Sequence, residues 1–290
     1  MKRARLMLLA IVFLLANSHA AVTPGQNATR QRTASDYHNE GLYYYDLGLF
    51  EKAAETFKKA LSLRPDYADA YNDLGIAYAA MGRHAEAIDS IKQAIHHKPE
   101  FAEAHCNLGS VYYQIGDLNA AIRFFRDAIR HKPDYALAFN NLGVALSESE
   151  AHLEAIAAYE QALRLRPSWA QAHRNLALAS WPVGDYNRVF KHLQQAVSLE
   201  PDYFEAYNDL GVAHYKKGQY KEAVASFNQA IKLKPEFESA IYNLGVVRLT
   251  LKQRDEAVSQ YQRLKALNPN LADALYQGLY KGMILDLKNK

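Results

Sequence analysis

Apolar residues recur along this chain in two alternating sets, each at helical spacing. Between Ala68 and Phe101, Tyr71, Leu74 and Tyr78 fall three and four residues apart, as do Ala87, Ile91, Ala94 and Ile95 further on. Each set draws one apolar stripe along a helix. Gly82 lies between the sets and punctuates them. The stretch therefore predicts two antiparallel helices joined by a tight turn. The same pattern returns 34 residues away in both directions, marked by Pro65, Pro99, Pro133, Pro167, Pro201, Pro235 and Pro269. A fixed period of this length signals a repeat architecture, in which each unit packs only on its neighbours.

Small residues set the packing within a unit. Gly75 and Ala87 stand where two helix backbones must approach closely, and Tyr71, Tyr78 and Ile91 fill the space beside them. Proline at a first helical position loses no hydrogen bond, and an acid after it meets the favourable end of the helix dipole. Pro65-Asp66, Pro99-Glu100, Pro133-Asp134, Pro201-Asp202 and Pro235-Glu236 are expected to open helices in this way. The aromatics that follow (Tyr67, Phe101, Tyr135, Trp169, Tyr203 and Phe237) read as wedges between units.

On these residues each unit resembles a tetratricopeptide repeat (TPR). That family's Leu-Gly step falls on Leu74-Gly75, Leu108-Gly109, Leu142-Gly143, Leu210-Gly211 and Leu244-Gly245. Its small second-helix residue falls on Ala53, Ala87, Ala121, Ala155, Ala223 and Ala257. Its large residue falls on Phe57, Ile91, Phe125, Tyr159, Leu193, Phe227 and Tyr261. The resemblance covers seven units: 34–67, 68–101, 102–135, 136–169, 170–203, 204–237 and 238–271. It implies an all-α, right-handed solenoid of antiparallel helix pairs, with the first helix of each pair lining a concave groove.

Departures from the pattern carry their own expectations. Glu40 precedes Gly41 where other units have leucine, which suits an outer unit. Glu150 replaces the mid-repeat glycine, so a longer or looser turn is expected there. The fifth unit differs most: Ala177 replaces the Leu-Gly glycine and Val189 the small alanine. Its Trp181-Pro182 should end or bend the first helix, with a local change of pitch as the consequence. The seventh unit has Lys252 at the turn and Leu264 where others have a smaller residue. Leu275, Leu279, Met283 and Ile284 mark a capping helix over residues 272–286, followed by a polar tail at 287–290.

The start of the chain has a different character. MKRAR precedes an apolar run from Leu6 to Ala16, with small Ser18 and Ala20 after it. Residues 1–20 read as a cleavable secretory signal, with an uncleaved membrane anchor as the alternative, and 21–33 as a flexible polar leader. Lys2, Arg3 and Arg5 carry the whole formal net charge of +3. The remainder is balanced, so bulk charge gives no support to a nucleic-acid partner. Cys106 is the only cysteine, which excludes an internal disulfide and a cysteine-built metal site. No phosphate loop, zinc-protease helix or serine elbow is present. No catalytic, cofactor-binding or metal residues are expected, and His96, His97 and His131 read as helix-end residues.

The candidate site is the inner wall. Two residues before each Leu-Gly glycine, or its substitute Ala177, lies Asn39, Asp73, Asn107, Asn141, Asn175, Asp209 or Asn243. Asn72, Asn140 and Asn208 stand beside three of them. A side-chain amide offers a donor and an acceptor, so such a column suits either half of a peptide group. The column resembles the asparagine ladder in the TPR superhelix of O-linked N-acetylglucosamine transferases, which implies an extended peptide held independently of its side chains. Asp73 and Asp209 interrupt it. The competing reading is that these polar residues solubilise the wall or brace neighbouring helices.

With those two, the groove acids are Asp46, Asp69, Glu103, Glu148 and Glu205, against Arg174 and Lys216 as bases. The expected guest is an extended peptide of basic character. Asn72, Cys106 and Asn140 stand where a lysine clamp for terminal carboxylates would need bases, and Cys106 is expected to line the groove as a small filler.

The resulting expectation is an exported adaptor that binds proteins or peptides and supports assembly of an envelope or secretion complex. A bacterial periplasm is the expected location, with secretion or membrane anchoring as alternatives. A self-associating scaffold and a regulatory subunit of a glycan- or cell-wall-processing enzyme are the competing functions.

Overall fold

The computed structural model describes residues 31–281 and 287. The signal, most of the leader, residues 282–286 and the last three residues lie outside the described residues. The described residues form fifteen helices and no strand. They divide into two bodies, the first ending at Leu165 and the second beginning at Arg166. The first holds α1 (Ala34–Asp46), α2 (Phe50–Leu63), α3 (Ala68–Ala80), α4 (His84–His97), α5 (Ala102–Gln114), α6 (Leu118–His131), α7 (Ala136–Glu148) and α8 (His152–Leu165). The second holds α9 (Ala170–Ser180), α10 (Tyr186–Leu199), α11 (Phe204–Lys216), α12 (Tyr220–Leu233), α13 (Glu238–Thr250), α14 (Arg254–Leu267) and α15 (Pro269–Lys281). Odd- and even-numbered helices alternate as pairs, each packed on the next within its body.

Close approach explains the Leu-Gly step. A Cβ on Gly211 would sit 2.6 Å from the Phe227 ring, and one on Gly143 would sit 2.7 Å from Tyr159. In the fifth unit Ala177 takes the place of that glycine, opposite Leu193. Ala177, Val189 and Leu193 are all wholly buried in one cluster. At the last unit the neighbour changes: a Cβ on Gly245 would meet Leu275 of α15 at 2.6 Å. Tyr261, the large residue of that unit's own second helix, is only partly buried.

The prolines do not open the helices as expected. Tyr67 N–H donates to Arg64 O, Phe101 to Lys98, Tyr135 to Lys132 and Phe237 to Lys234. Each of these prolines thus sits second in a four-residue turn, where its fixed φ is pre-set, and the helix starts three residues later. Only Pro269 is a first helical residue, because Asn268 Oδ1 accepts from Leu271 N–H and caps the helix. The capping helix therefore begins three residues before the expected Ala272, and its described part ends at Lys281.

The Glu150 turn is not longer than the others. Gly48, Gly82, Gly116, Gly184 and Gly218 hold positive φ at the mid-repeat turn, and Glu150 and Lys252 take the same conformation at φ 64° and 62°. A side chain is strained there, so two turns keep their geometry against a local cost. Trp181-Pro182 does shorten its helix: α9 has 11 residues where α3, α5 and α7 have 13.

The aromatic wedges carry cations. Lys98 lies over Phe101, Lys132 over Tyr135 and Lys234 over Phe237. Where Glu200 replaces that cation, Arg174 approaches Tyr203 instead, 5.8 Å from the ring centroid.

Candidate functional site

The first helices bring the predicted column together, and consecutive first helices within a body touch: α1 meets α3, α3 meets α5, α5 meets α7 and α11 meets α13. Asn72, Asp73, Asn107, Asn140, Asn141, Asn175, Asn208, Asp209 and Asn243 are all buried. Asn39, which no earlier helix pair adjoins among the described residues, is exposed.

Their hydrogen bonds run from unit to unit with a constant offset of 35 residues. In the first body Asn107 Nδ2 donates to Asn72 Oδ1 at 3.0 Å, and Asn72 Nδ2 donates to Asp73 Oδ1 at 3.0 Å. Asp73 Oδ2 lies 2.7 Å from His38 Nε2, and the Tyr67 hydroxyl lies 3.2 Å from His38 Nδ1. In the second body Asn243 Nδ2 donates to Asn208 Oδ1 at 2.9 Å, and Arg174 Nε donates to Asp209 Oδ2 at 2.6 Å. The column is thus a brace between successive units, the reading that competed with ligand binding. The brace uses part of each amide's bonding capacity, since a primary amide has two donors and two acceptor lone pairs.

The interruptions of the ladder are balanced in the structure. Each aspartate meets a base from the preceding unit: His38 for Asp73 and Arg174 for Asp209. Burial raises the pKa of Asp73, while its bonds to His38 and Asn72 pull the other way. Burial also raises Asp209, against the nearby Arg174. Burial disfavours the charge on Arg174, but Asp209 and Tyr203 outweigh it and its pKa is raised. Asp73, Asp209 and Arg174 therefore do not add net charge to the open wall. Sequence reasoning missed His38; the signal was a base 35 residues before each acid of the column.

Other groove acids remain accessible. Asp46 and Glu148 are exposed, and Asp69, Glu103 and Glu205 are half-buried. Glu103 pairs with Lys132 Nζ at 2.8 Å, and Glu148 accepts from the Tyr113 hydroxyl. Lys216 is exposed. Ile76 and Ala79, which follow Asp73 along α3, are buried.

Cys106 does not line an open groove. It is 1% exposed, and its sulfur accepts from Asn141 Nδ2 at 3.8 Å, so cysteine takes the place that asparagine holds elsewhere in the brace. Burial pushes its thiol up to about 12, which leaves no reactive thiolate. The helix-end histidines pack as rings: His97 stacks on Tyr71 and His131 on His105. His173 and His192 face each other, and burial lowers both, His192 to about 4. Among the described residues, no group of three or more His, Cys, Asp or Glu could hold a metal ion. Among the same residues no helix is long and apolar enough to cross a membrane.

Models of the TPR repeat match residues 41–82, 183–218 and 214–252, and models of the tetratricopeptide repeat match 73–136, 106–168 and 239–271. Among solved structures the chain is similar to MamA, at 29% identity over 56% of this chain and 94% of that one, with a TM-score of 0.51. It is also similar to PilF of Pseudomonas aeruginosa, at 23% identity over 74% and 97% with a TM-score of 0.65. YrrB, described as a TPR protein with an unusual peptide-binding site, matches at 22% identity over 66% and 99% with a TM-score of 0.55. The last two likenesses speak for the fold alone. A search of curated proteins found no match.

Proposed function

This chain belongs to the tetratricopeptide repeat family, and we propose that it is a non-catalytic adaptor holding extended segments of partner proteins along its first helices. The observation that carries this reading is the set of accessible acids Asp46, Asp69, Glu148 and Glu205 on first helices that buried amides hold in register from unit to unit. A wall whose helices are already braced loses little freedom when a ligand binds, so binding costs less ordering entropy. Asp46, Asp69, Glu148 and Glu205 favour a guest with lysine or arginine near these acids. YrrB, a protein of the same fold, is described as having a peptide-binding site, which supports a peptide as the guest. The apolar run behind Lys2, Arg3 and Arg5 supports export, and with it a role in assembling an envelope or secretion complex.

Replacing the buried asparagines would disturb the fold as well as the guest, so the accessible acids make the cleaner test. Partners captured from an envelope extract should be lost when Asp69 and Glu205 are changed together to lysine. Binding of a captured basic segment should also weaken as salt rises. Capture that survives both the double change and high salt would rule out this wall as the site.

A further inference from the structure

We propose that the second body binds a proline-rich, acidic segment across the ends of α9 and α11. Trp181 and Tyr215 hold the same place in successive units, at the ends of these first helices. Tyr186 and Tyr220 open the helices that follow, α10 and α12. The four rings form two pairs: Trp181 meets Tyr186 at 5.5 Å between centroids, and Tyr215 meets Tyr220 at 5.4 Å. Trp181, Tyr215 and Tyr220 pack against one core cluster. Tyr186 and Val183, in the turn before it, are exposed, so an aromatic edge stands open beside that core. The Tyr215 ring is held in place. Thr250 Oγ1 donates to Val246 O, so the Tyr215 hydroxyl, 3.3 Å away, donates to Thr250 Oγ1.

The spacing selects the guest. The Arg174–Asp209 bond ties α9 to α11, and packed helices lie about 8–10 Å apart. A polyproline II helix has about three residues per turn and rises about 3.1 Å per residue, so every third residue returns to the same face after ~9 Å. Two prolines three positions apart therefore reach one ring pair each. Aromatic-lined surfaces take such segments because the ligand is ordered beforehand and leaves its carbonyls to accept from tyrosine hydroxyls. Charge sets the rest of the motif. Lys216, Lys217 and Lys221 stand around the second pair against Glu222, and all four are exposed. Asp185, beside the first pair, is matched by Arg188. The guest is expected to carry acids between its prolines. In the first body Tyr45 and Phe50 make the same contact at 5.1 Å, but Ala79 and His84 follow in those places, so no second pair continues the row. The site is also distinct from the acidic wall. Glu205 stands in the first turn of α11 and Tyr215 in its last, about 15 Å away along the helix.

The probe is a fluorescent peptide of repeated Pro-Glu-Ala triplets, titrated into the purified full chain and followed by anisotropy. Binding should weaken at least about tenfold with Tyr186→Ala, whose side chain is exposed. Lys216→Glu touches no ring and tests the charge separately, with a loss of about threefold or more. Replacing the peptide's prolines by alanine, or its glutamates by lysine, should each cost about tenfold. Changing Asp69 and Glu205 together to lysine should not weaken this peptide, which separates the site from the acidic wall. No binding at millimolar peptide, equal binding of the alanine peptide, or full affinity in both Tyr186→Ala and Lys216→Glu would overturn the proposal. Binding of tetra-N-acetylglucosamine that Tyr186→Ala abolishes, where the peptide does not bind, would assign the rings to a sugar and overturn it as well.

Discussion

The opening units of the two bodies solve one problem with the same residues save one. His38, Tyr67, Asn72, Asp73 and Asn107 in the first body correspond, four units on, to Arg174, Tyr203, Asn208, Asp209 and Asn243 in the second. Each set starts with a base on an aspartate and continues through an asparagine pair. The difference is the base. Histidine can be neutral, so the His38–Asp73 contact can exist as a charged pair or as a neutral hydrogen bond. Arginine stays charged, so the Arg174–Asp209 contact always sets a cation against the acid. Two networks of the same layout should therefore respond unequally to mutation.

Loss of an aspartate breaks the comparison most strongly. Asp209→Ala leaves Arg174 charged, mostly buried and without its carboxylate, which should cost about 3–5 kcal/mol. Asp73→Ala leaves an imidazole, which carries no fixed charge, and the cost should be nearer ~1–3 kcal/mol, that of an unmade buried hydrogen bond. Because stability in a repeat array is largely local, hydrogen exchange across α9–α11 and α1–α3 is the suitable measurement. Equal loss of protection in the two variants would show that the identity of the base is immaterial.

Acid acts by a smaller effect and with one sign in both regions, since burial raises Asp73 and Asp209 alike. Burial raises the pKa of Asp73 above its unfolded value. The folded state then holds a proton that the unfolded state releases, over the window between those two values. The resulting stability is fully present below the unfolded pKa and lost as pH rises through the folded one. Relative to Asp73→Asn, the wild-type chain should gain stability as pH falls from neutral toward 4. Asparagine at this position should fold well, since Asn107 and Asn141 occupy it in the next two units. Melting temperatures of the two proteins across that range test the sign. A wild-type chain that loses ground to the variant on acidification would mean that the ionised carboxylate is favoured in the fold.

The sequence carried most of the fold because its rules are local. The apolar stripes, the close-approach glycines and the proline period each act within one helix pair, and the helices fall where those signals put them. Helix starts were less legible, since a proline before an acid fits both a first helical position and a turn. Asn268, able to cap where Lys98 and Lys234 are not, decides between them at Pro269. The column of amides was visible, but its hydrogen-bond partners were not. They depend on the register between neighbouring helices, which pairs each residue with one 35 positions away, although the repeat length is 34. The pairing of two of the wall's acids was hidden for the same reason, as His38 and Arg174 meet Asp73 and Asp209 only across that register.

The smallest effect concerns the one mid-repeat turn in each body that has a side chain in place of glycine. Glu150 and Lys252 hold φ near +60°, where an L-residue pays roughly 1 kcal/mol that glycine avoids. Both turns keep the hydrogen bonding of their glycine counterparts: Ala151 N–H reaches Leu146 O at 2.9 Å as Arg83 N–H reaches Tyr78 O at 2.9 Å. The backbone therefore gains nothing from the side chain. Glu150→Gly and Lys252→Gly should each stabilise the chain by about 1 kcal/mol, less the added chain entropy of glycine when unfolded. Denaturant titration with unchanged slope would report it. If either substitution destabilises the chain, the side chain makes a contact worth more than the strain, and that turn belongs to a binding surface rather than to the scaffold.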